Sequence, residues 1–423
     1  MKTFIVIFLA LLLAGSRSNA QGTPGWGWAH HLGAATNAQG DNGVAGLGRD
    51  AAGNLYLLGH YVGMPAFNGT ATTNAGETAV FLAKYSPAGA LLWLRTLQST
   101  GFDVASALVV EPSGRCTLAG TFGGVTGDNC SFASFGTPFL LAGPALLGLP
   151  RTNGQYQGVP FIAAVDAAGG LLWADTPSPT YGLGVVALHR DNLGSTYLSA
   201  NTVPQSLLTV NGQSYPPMGS SDAVLIKYSV MGQPEWARRI GANGGFTYSG
   251  VVRTDAANTL YWNVNHSRAL VVDGRAVSFI PASDPVSQGS NTLLKITTAN
   301  VLKWAKNGLL KSGTANAQAA VLHIDQASGT VYLGCGSYGG TITTESNPGI
   351  SVSIPTNSYG TCIAKCDTSG AVQWLRPFAY ASVVPGGAGW AAVGIVNFFP
   401  NATGYTALTN TAYAAQTVFP PNN

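Results

Sequence analysis

The chain has 423 residues, of which only 9% are charged, and its formal net charge is +3. Glycine numbers 55 against 4 methionines, a balance that disfavours long helices and favours short strands with many turns. A near-neutral, acid- and base-poor chain excludes the basic stripe of a nucleic-acid binder, and nothing in it steers toward an acidic surface.

In chain order, Lys2 and the apolar run Phe4–Ala14 precede Ser18-Asn19-Ala20. This is the pattern of a secretory signal peptide over residues 1–20, cleaved near Ala20, and the run is too short to span a bilayer. No later segment reads as a membrane span. A secreted or cell-surface protein, monomeric, is expected.

Residues 21–423 then read as one repeat domain. Trp28, Trp93, Trp173, Trp236, Trp304 and Trp374 recur at gaps of 65, 80, 63, 68 and 70 residues. Five of them close one phrase: FLAKYSPAGALLW, FIAAVDAAGGLLW, VLIKYSVMGQPEW, LLKITTANVLKW and CIAKCDTSGAVQW. Each is an apolar strand, a tight turn and a second strand. A second hairpin lies upstream of each, as in GVAGLGRDAAGNLYLLG (43–59) and AAVLHIDQASGTVYLG (319–334). Both turns use Asp, Ser, Thr or Asn, two residues, then Gly: the first side chain caps a backbone N–H and the Gly takes positive φ. Asn258 and Asn300 replace that Gly, as a positive-φ requirement allows.

The units run 29–93, 94–173, 174–236, 237–304, 305–374 and 375–423, each with strands a, b, c and d. A period this long built of hairpins predicts an all-β fold, a β-propeller of four-stranded antiparallel blades. Six blades are expected, closed by the N-terminal strand 25–32 around Trp28, with a weak strand c at Gln416–Phe419. Seven blades, or a clipped chain continuing past Asn423, are the alternatives. A three-residue c–d turn would set Trp93 opposite Ala83 and Trp173 opposite Ala163. It would likewise set Trp236, Trp304 and Trp374 opposite Ile226, Leu294 and Ala364.

These phrases resemble the bacterial secreted β-propeller repeat called SBBP. Asp50-Ala51-Ala52-Gly53-Asn54-Leu55-Tyr56 and Phe81-Leu82-Ala83-Lys84-Tyr85 carry the likeness, which covers about residues 26–408. Ala164 in unit two and Leu293-Leu294-Lys295-Ile296 in unit four depart from it. The resemblance implies the fold and leaves function open.

No chemistry-bearing constellation stands out. Lys84, Lys227, Lys295 and Lys365 are expected at strand edges with their ammonium groups in water. Arg95, Arg238, Lys306 and Arg376, with His30, are expected to blunt the outer edge strand. Asp50, Asp191, Asp255 and Asp325 lie one per blade and read as turn caps rather than calcium ligands. Arg151, Arg190, Arg253 and Arg268 show no sign of converging on a carboxylate, and the six histidines have no metal spacing. No cofactor is expected. The five cysteines (Cys116, Cys130, Cys335, Cys362, Cys366) leave at least one thiol unpaired, and Cys362 and Cys366 stand too far apart along a strand to bridge.

The function expected is that of a secreted non-catalytic scaffold binding a protein or polysaccharide through the long b–c loops, since function gathers on variable loops held by rigid elements. Candidate contacts are Tyr61, Phe122, Tyr156, Tyr215, Tyr338 and Tyr359. The alternatives are a glycan-acting hydrolase or lyase and an adhesive module of a larger surface protein.

Overall fold

The computed structural model describes residues 43–74, 76–123, 129–135, 140–142, 158–177, 183–202, 207–273, 275–277, 290–307, 311–312, 318–344, 349–382, 393–401, 404–411 and 417–418. The leader, the strand 25–32 with Trp28, and Tyr156 lie outside the described residues.

Four sheets have the meander order a–b–c–d. Sheet one is Gly43–Arg49, Leu55–Val62, Thr78–Tyr85 and Leu91–Leu97. Sheet two is Val104–Val110, Cys116–Phe122, Val159–Val165 and Leu171–Asp175. Sheet three is Leu183–Arg190, Thr196–Thr202, Ala223–Tyr228 and Pro234–Ile240. Sheet four is Thr247–Thr254, Leu260–His266, Ser290–Ile296 and Leu302–Asn307. The fifth sheet keeps the order with longer strands, Gln318–Ile324, Val331–Thr343, Ser351–Cys366 and Val372–Ser382. A hairpin of Val393–Asn401 and Gly404–Thr411 follows. Thr417–Val418, expected as a strand c of the sixth unit, pairs instead with Tyr380 and Ala381 of strand d in sheet five.

Each sheet lays one face on the next, because its strands are apolar on both sides. One buried cluster joins sheets one and two through Tyr56, Leu58, Leu82, Leu118 and Phe161. Equivalent clusters join two to three around Ile162, Leu198 and Tyr228, three to four around Tyr197, Leu225 and Trp262, and four to five around Tyr261, Leu293 and Leu333. The a strands pack in succession from sheet one to the 393–401 strand, so they form the inner row. Sheet one's other face, with Phe67, Phe81, Ala83 and Tyr85, forms a cluster within its own unit.

The turns follow the expected grammar. Ser86 N donates to Ala90 O at 2.8 Å and Gly89 N to Ser86 O at 2.9 Å, and Gly89 has φ 83°. Asn258 and Asn300 adopt φ 59° and 63°. Asp191 Oδ1 accepts from Leu193 N and Ser195 N, and Asp255 Oδ1 from Ala257 N and Thr259 N. Burial alone would raise the Asp50 carboxyl, but bonds from Asn54 and Tyr56 and the Lys84 charge hold it below its usual value. At Asp325 the bond from Ala327 N is the largest cause of a lowered value.

The register of the tryptophans differs from the sequence expectation by one residue. Trp93 stands opposite Lys84, Trp173 opposite Ala164, and Trp236, Trp304 and Trp374 opposite Lys227, Lys295 and Lys365. The first pair after each turn, such as Tyr85 with Leu91, keeps the three-residue-turn register. A bulge then inserts one residue in strand d, exposed in every sheet: Leu92, Leu172, Glu235, Lys303 and Gln373. A one-residue slip sends the following side chains to the opposite face. The tryptophans therefore face the next sheet.

There they act as clasps. Trp93 Nε1 donates to Ala167 O at 3.1 Å, Trp173 Nε1 to Val230 O at 3.3 Å, and Trp236 Nε1 to Thr298 O at 3.0 Å. Each acceptor belongs to the c–d turn of the following sheet. Two of the basic residues expected to blunt the edge strand do the same, while Lys306 and Arg376 are exposed. Arg95 donates to Gly169 O and Ala168 O, and Arg238 to the carbonyl and side-chain oxygens of Asn300. Lys84, expected in water, is 8% exposed. Its Nζ donates to Ala167 O at 3.2 Å, lies 3.5 Å from Asp50 Oδ2 and stands over the Tyr56 ring. Lys295 likewise reaches Thr368 O, and Lys227 pairs with Glu235 at 2.7 Å as a neighbour on the bulge.

Two predictions follow from the clasp. Gly232, at φ 81°, fills the c–d turn under Trp173, and a Cβ there overlaps the indole. Gly232→Ala will cost about 3 kcal/mol in urea unfolding, from left-handed strain and overpacking together. Arg95→Met keeps the apolar stem but removes the two turn bonds, and will cost about 2 kcal/mol by the same measurement.

Candidate ligand-binding surface

The a–b and c–d turns lie at one end of every sheet and are engaged by the clasps. The b–c excursions and d–a links lie at the other. Three excursions fold into small hairpins, Ala66–Phe67 with Thr70–Ala71, Leu208–Val210 with Gln213–Tyr215, and Leu270–Val272 with Arg275–Val277. They turn at Asn68-Gly69, Asn211-Gly212 and Asp273, whose φ values are all positive, as two-residue hairpin turns demand.

Several excursions cover the outer strand of the preceding sheet. Ser131 pairs with Gln98, and Ser134 Oγ donates to Thr96 O while accepting from Thr96 N. Asp273 Oδ1 pairs with Arg238 at 2.7 Å. Ile342 and Thr343 of sheet five pair with Ser312 and Lys311. The excursions thus protect edge strands.

This use buries some of the expected contact aromatics. Tyr61 is 2% exposed and donates its hydroxyl to Thr73 O at 2.7 Å, and burial pushes its pKa up to about 12. Phe122 is fully buried beside Phe161. Neither side chain can meet a ligand here. Tyr215 is half-buried, its hydroxyl accepting from Ala237 N and its carbonyl from Arg239. Tyr338 and Tyr359 stand opposite each other in the sheet-five ladder. Of the expected contacts that are described, Tyr61 and Phe122 thus belong to the packing and not to an exposed surface, and Tyr156 lies outside the described residues.

A different pair faces solvent at this end. Phe246 is 48% exposed and Tyr248 44% exposed; among the described residues they alone of the large aromatics are exposed. Their rings lie 6.1 Å apart with planes 4° from parallel. Residues two apart on a strand share a face, and these begin strand a of sheet four, on the inner row. The segment before them is firmly held. Ser220 N donates to Gly245 O, Thr247 N to Ser221 O, and Phe246 N to Ser267 Oγ. Beneath lies a buried ion pair, Arg239 with Asp222 at 2.7 Å, whose side chains are 2% and 0% exposed. Asp222 Oδ2 also accepts from Met218 N, and a Cβ at Gly241 would overlap Asp222 Oδ1.

Polar groups flank the platform. Tyr248 stands opposite Asn265, whose Oδ1 accepts from Asn291 Nδ2 at 2.7 Å. Asn201 Oδ1 accepts from Ser249 N. Exposed Arg268 lies on the loop beside Gly244 and Gly245. A flat aromatic face rimmed by amides and a guanidinium suits a sugar ring or another apolar planar group. The signal for it in sequence was the alternation Phe246-Thr247-Tyr248 after Gly244-Gly245, in a d–a link rather than a b–c loop.

At the opposite end the inner row carries His189, Arg253 and His323. They hold equivalent positions in sheets three, four and five, opposite Tyr197, Tyr261 and Tyr332. His189 Nε2 accepts from Thr254 N at 3.1 Å and lies 2.8 Å from Thr254 Oγ1, so its neutral form carries the proton on Nδ1. Burial, assisted by the Arg253 charge, pulls its pKa down to about 3. Burial and the same charge lower His323, opposed by Asp325. Among the described residues no three His, Cys, Asp or Glu side chains converge as a metal site. Burial pushes the Cys366 thiol up to about 12, and Cys335 stands opposite Cys362 in the ladder.

The described residues make an all-β protein of successive four-stranded, blade-like antiparallel sheets. No known protein family matches the chain, and no curated protein matches it. Among solved structures it is similar to a protein from Lactobacillus plantarum at 11% identity and a TM-score of 0.35, covering 78% of this chain and 83% of that one. It is also similar to the extracellular domain of BT4673 from B. thetaiotaomicron, described in one structure as a hybrid two-component system. The identity is 10% and the TM-score 0.19, over 90% of this chain and 65% of that one. A second structure of that domain gives 9%, 0.15, 88% and 64%. The chain thus spans a little under two thirds of the length of that domain.

His189 yields a pH prediction. The fold favours its neutral form, whereas the unfolded chain takes up a proton near 6.5. Its contribution is therefore complete above about pH 6.5 and lost as pH falls toward about 3. Chemical denaturation between pH 7 and 4 will show declining stability, and His189→Gln will flatten the slope in that window.

Proposed function

We propose that this is a secreted, non-catalytic β-propeller of six blades, closed by the N-terminal strand 25–32, that binds a polysaccharide through its loop end. The exposed Phe246–Tyr248 pair carries the reading. A sugar ring presents axial C–H groups on one face, which stack on an aromatic plane while hydroxyls reach polar neighbours. The link that bears the pair is fixed by backbone bonds and by the Asp222–Arg239 pair, so little ordering cost falls on binding. Binding rather than catalysis is favoured by the state of the carboxylate beside the link, since Asp222 is fully buried and engaged by Arg239 and Met218 N.

The repeat grammar supports the ring: strands a of all six units pack in succession, and sheet one retains an outer face of Leu47, 68% exposed, and Val44, 64% exposed. The residues matched to the SBBP repeat and the N-terminal pattern of residues 1–20 support the family and the export.

A glycan array probed with the mature chain tests the function. Phe246→Ala and Tyr248→Ala will each weaken binding at least tenfold while leaving the urea midpoint within error, because both side chains are exposed. Undiminished glycan binding by the double variant, or capture of proteins but no glycan by the wild type, would overturn the reading.

A further inference from the structure

We propose that Arg253, held between His189 and His323 on the inner strands of sheets three to five, is the receptor of a small oxyanion, a carboxylate or a phosphate. This site lies at the turn end and is independent of the Phe246–Tyr248 platform.

Among the described residues the geometry places one cationic side chain of the inner row where no anionic one answers it. Arg253 is partly buried in the inner row. Its guanidinium has five N–H donors, and one bond is made, from Nη1 to the adjoining Val252 O at 2.8 Å. The neighbouring carboxylates are committed elsewhere. Asp255 caps its own turn and accepts from Tyr261. Asp325 caps its turn through Ala327 N and Ser328 N. Glu111 pairs with Arg190 at 3.1 Å and Arg115 at 3.5 Å. The arginines buried elsewhere in the sheets have found partners: Arg95 and Arg238 bond turn carbonyls, Arg190 pairs with Glu111 and Arg239 with Asp222. Gln326 Nε2 bonds Thr254 O next to Arg253, which ties sheet five to sheet four beside the guanidinium and leaves the charge itself unanswered.

A desolvated charge without a partner is unfavourable. Burial alone depresses the Arg253 pKa to about 10, with no opposing carboxylate. Deprotonating a guanidinium is a poor remedy, because its intrinsic value is so high. An oxyanion supplies what is lacking, a planar or tetrahedral set of acceptors matched to the fork of donors. The flanking imidazoles suit that role. His189 carries its proton on Nδ1, its Nε2 being taken by Thr254. The His323 ring lies 6.2 Å from the Tyr332 ring between centroids, tilted at 52° to it. The neutral His189 ring adds its Nδ1–H donor without adding repulsion to Arg253.

The test titrates the full mature chain with sodium phosphate and, separately, with sodium oxalate at fixed ionic strength, following the thermal midpoint and heat of binding. A saturable rise with either anion is expected, and the more effective one identifies the chemistry. Arg253→Gln will weaken the response at least tenfold, whereas Lys303→Gln, at an exposed strand-d bulge, will leave it unchanged. Equal responses in wild type and Arg253→Gln, or no saturable response in the wild type, would overturn the proposal. If Arg253→Gln fails to fold, 15N spectra of the wild type decide. The Arg253 Nε and His189 ring signals must shift together along one saturation curve, and a titration that leaves them fixed rejects the site.

Discussion

The structure depends on one contact made again and again: the side chains of strand d gripping the backbone of the next sheet's c–d turn. Apolar faces alone would hold neighbouring sheets together but would allow them to slide, since dispersion and burial are non-directional. The indole N–H of Trp93, Trp173 and Trp236, joined by the guanidinium groups of Arg95 and Arg238, adds direction. A turn carbonyl is a fixed acceptor, because glycine at positive φ locks the turn beneath it. The clasp therefore sets both the spacing and the rotation of one sheet on the next. Where Gly is replaced by Asn300, the side chain enlarges the clasp by accepting from Arg238 Nε at 2.7 Å.

Much of this was legible in the sequence, and what was not has physical causes. The strands, the turns, the aspartate caps and the positive φ of Asn258 and Asn300 all follow from local rules, and local rules act within a few residues. The bulge of strand d does not. Its residue is Leu92 in one sheet and Glu235, Lys303 or Gln373 in others, so no side chain announces it, and it alone decides which face the tryptophans take. The partners of Arg95 lie 74 residues away, which is why its charge reads in sequence as a solvated edge. The long b–c loops read as binding surface because they vary. Their described parts meet different neighbours on the outer edge, and Tyr61 and Phe122 are absorbed into the packing. The exposed aromatic pair sits in a short link that length and variability did not mark.

The two ends of the inner row differ in kind. At the loop end, the link that bears the exposed rings is bonded to Ser220 and Ser221, next to the buried Asp222–Arg239 pair. At the turn end, Arg253 has no such counterpart, and its influence is seen in the lowered values of His189 and His323. Among the described residues, the buried cations of the sheets thus balance locally, and Arg253 of the inner row does not. The same low charge density that makes the surface bland makes that point stand out.

The exposed residue at each strand-d bulge offers something apart from stability. Five side chains, at Leu92, Leu172, Glu235, Lys303 and Gln373, occupy the same backbone position in consecutive units and point away from the packing. Their chemistry differs from unit to unit, so the fold asks nothing of the side chain there, while the strand beneath is held in the ladder. They form a set of equivalent outward attachment points at regular intervals along the repeat. Cysteine or an unnatural amino acid at these sites would carry labels, glycans or peptides in a defined multivalent array, with spacing dictated by the repeat itself.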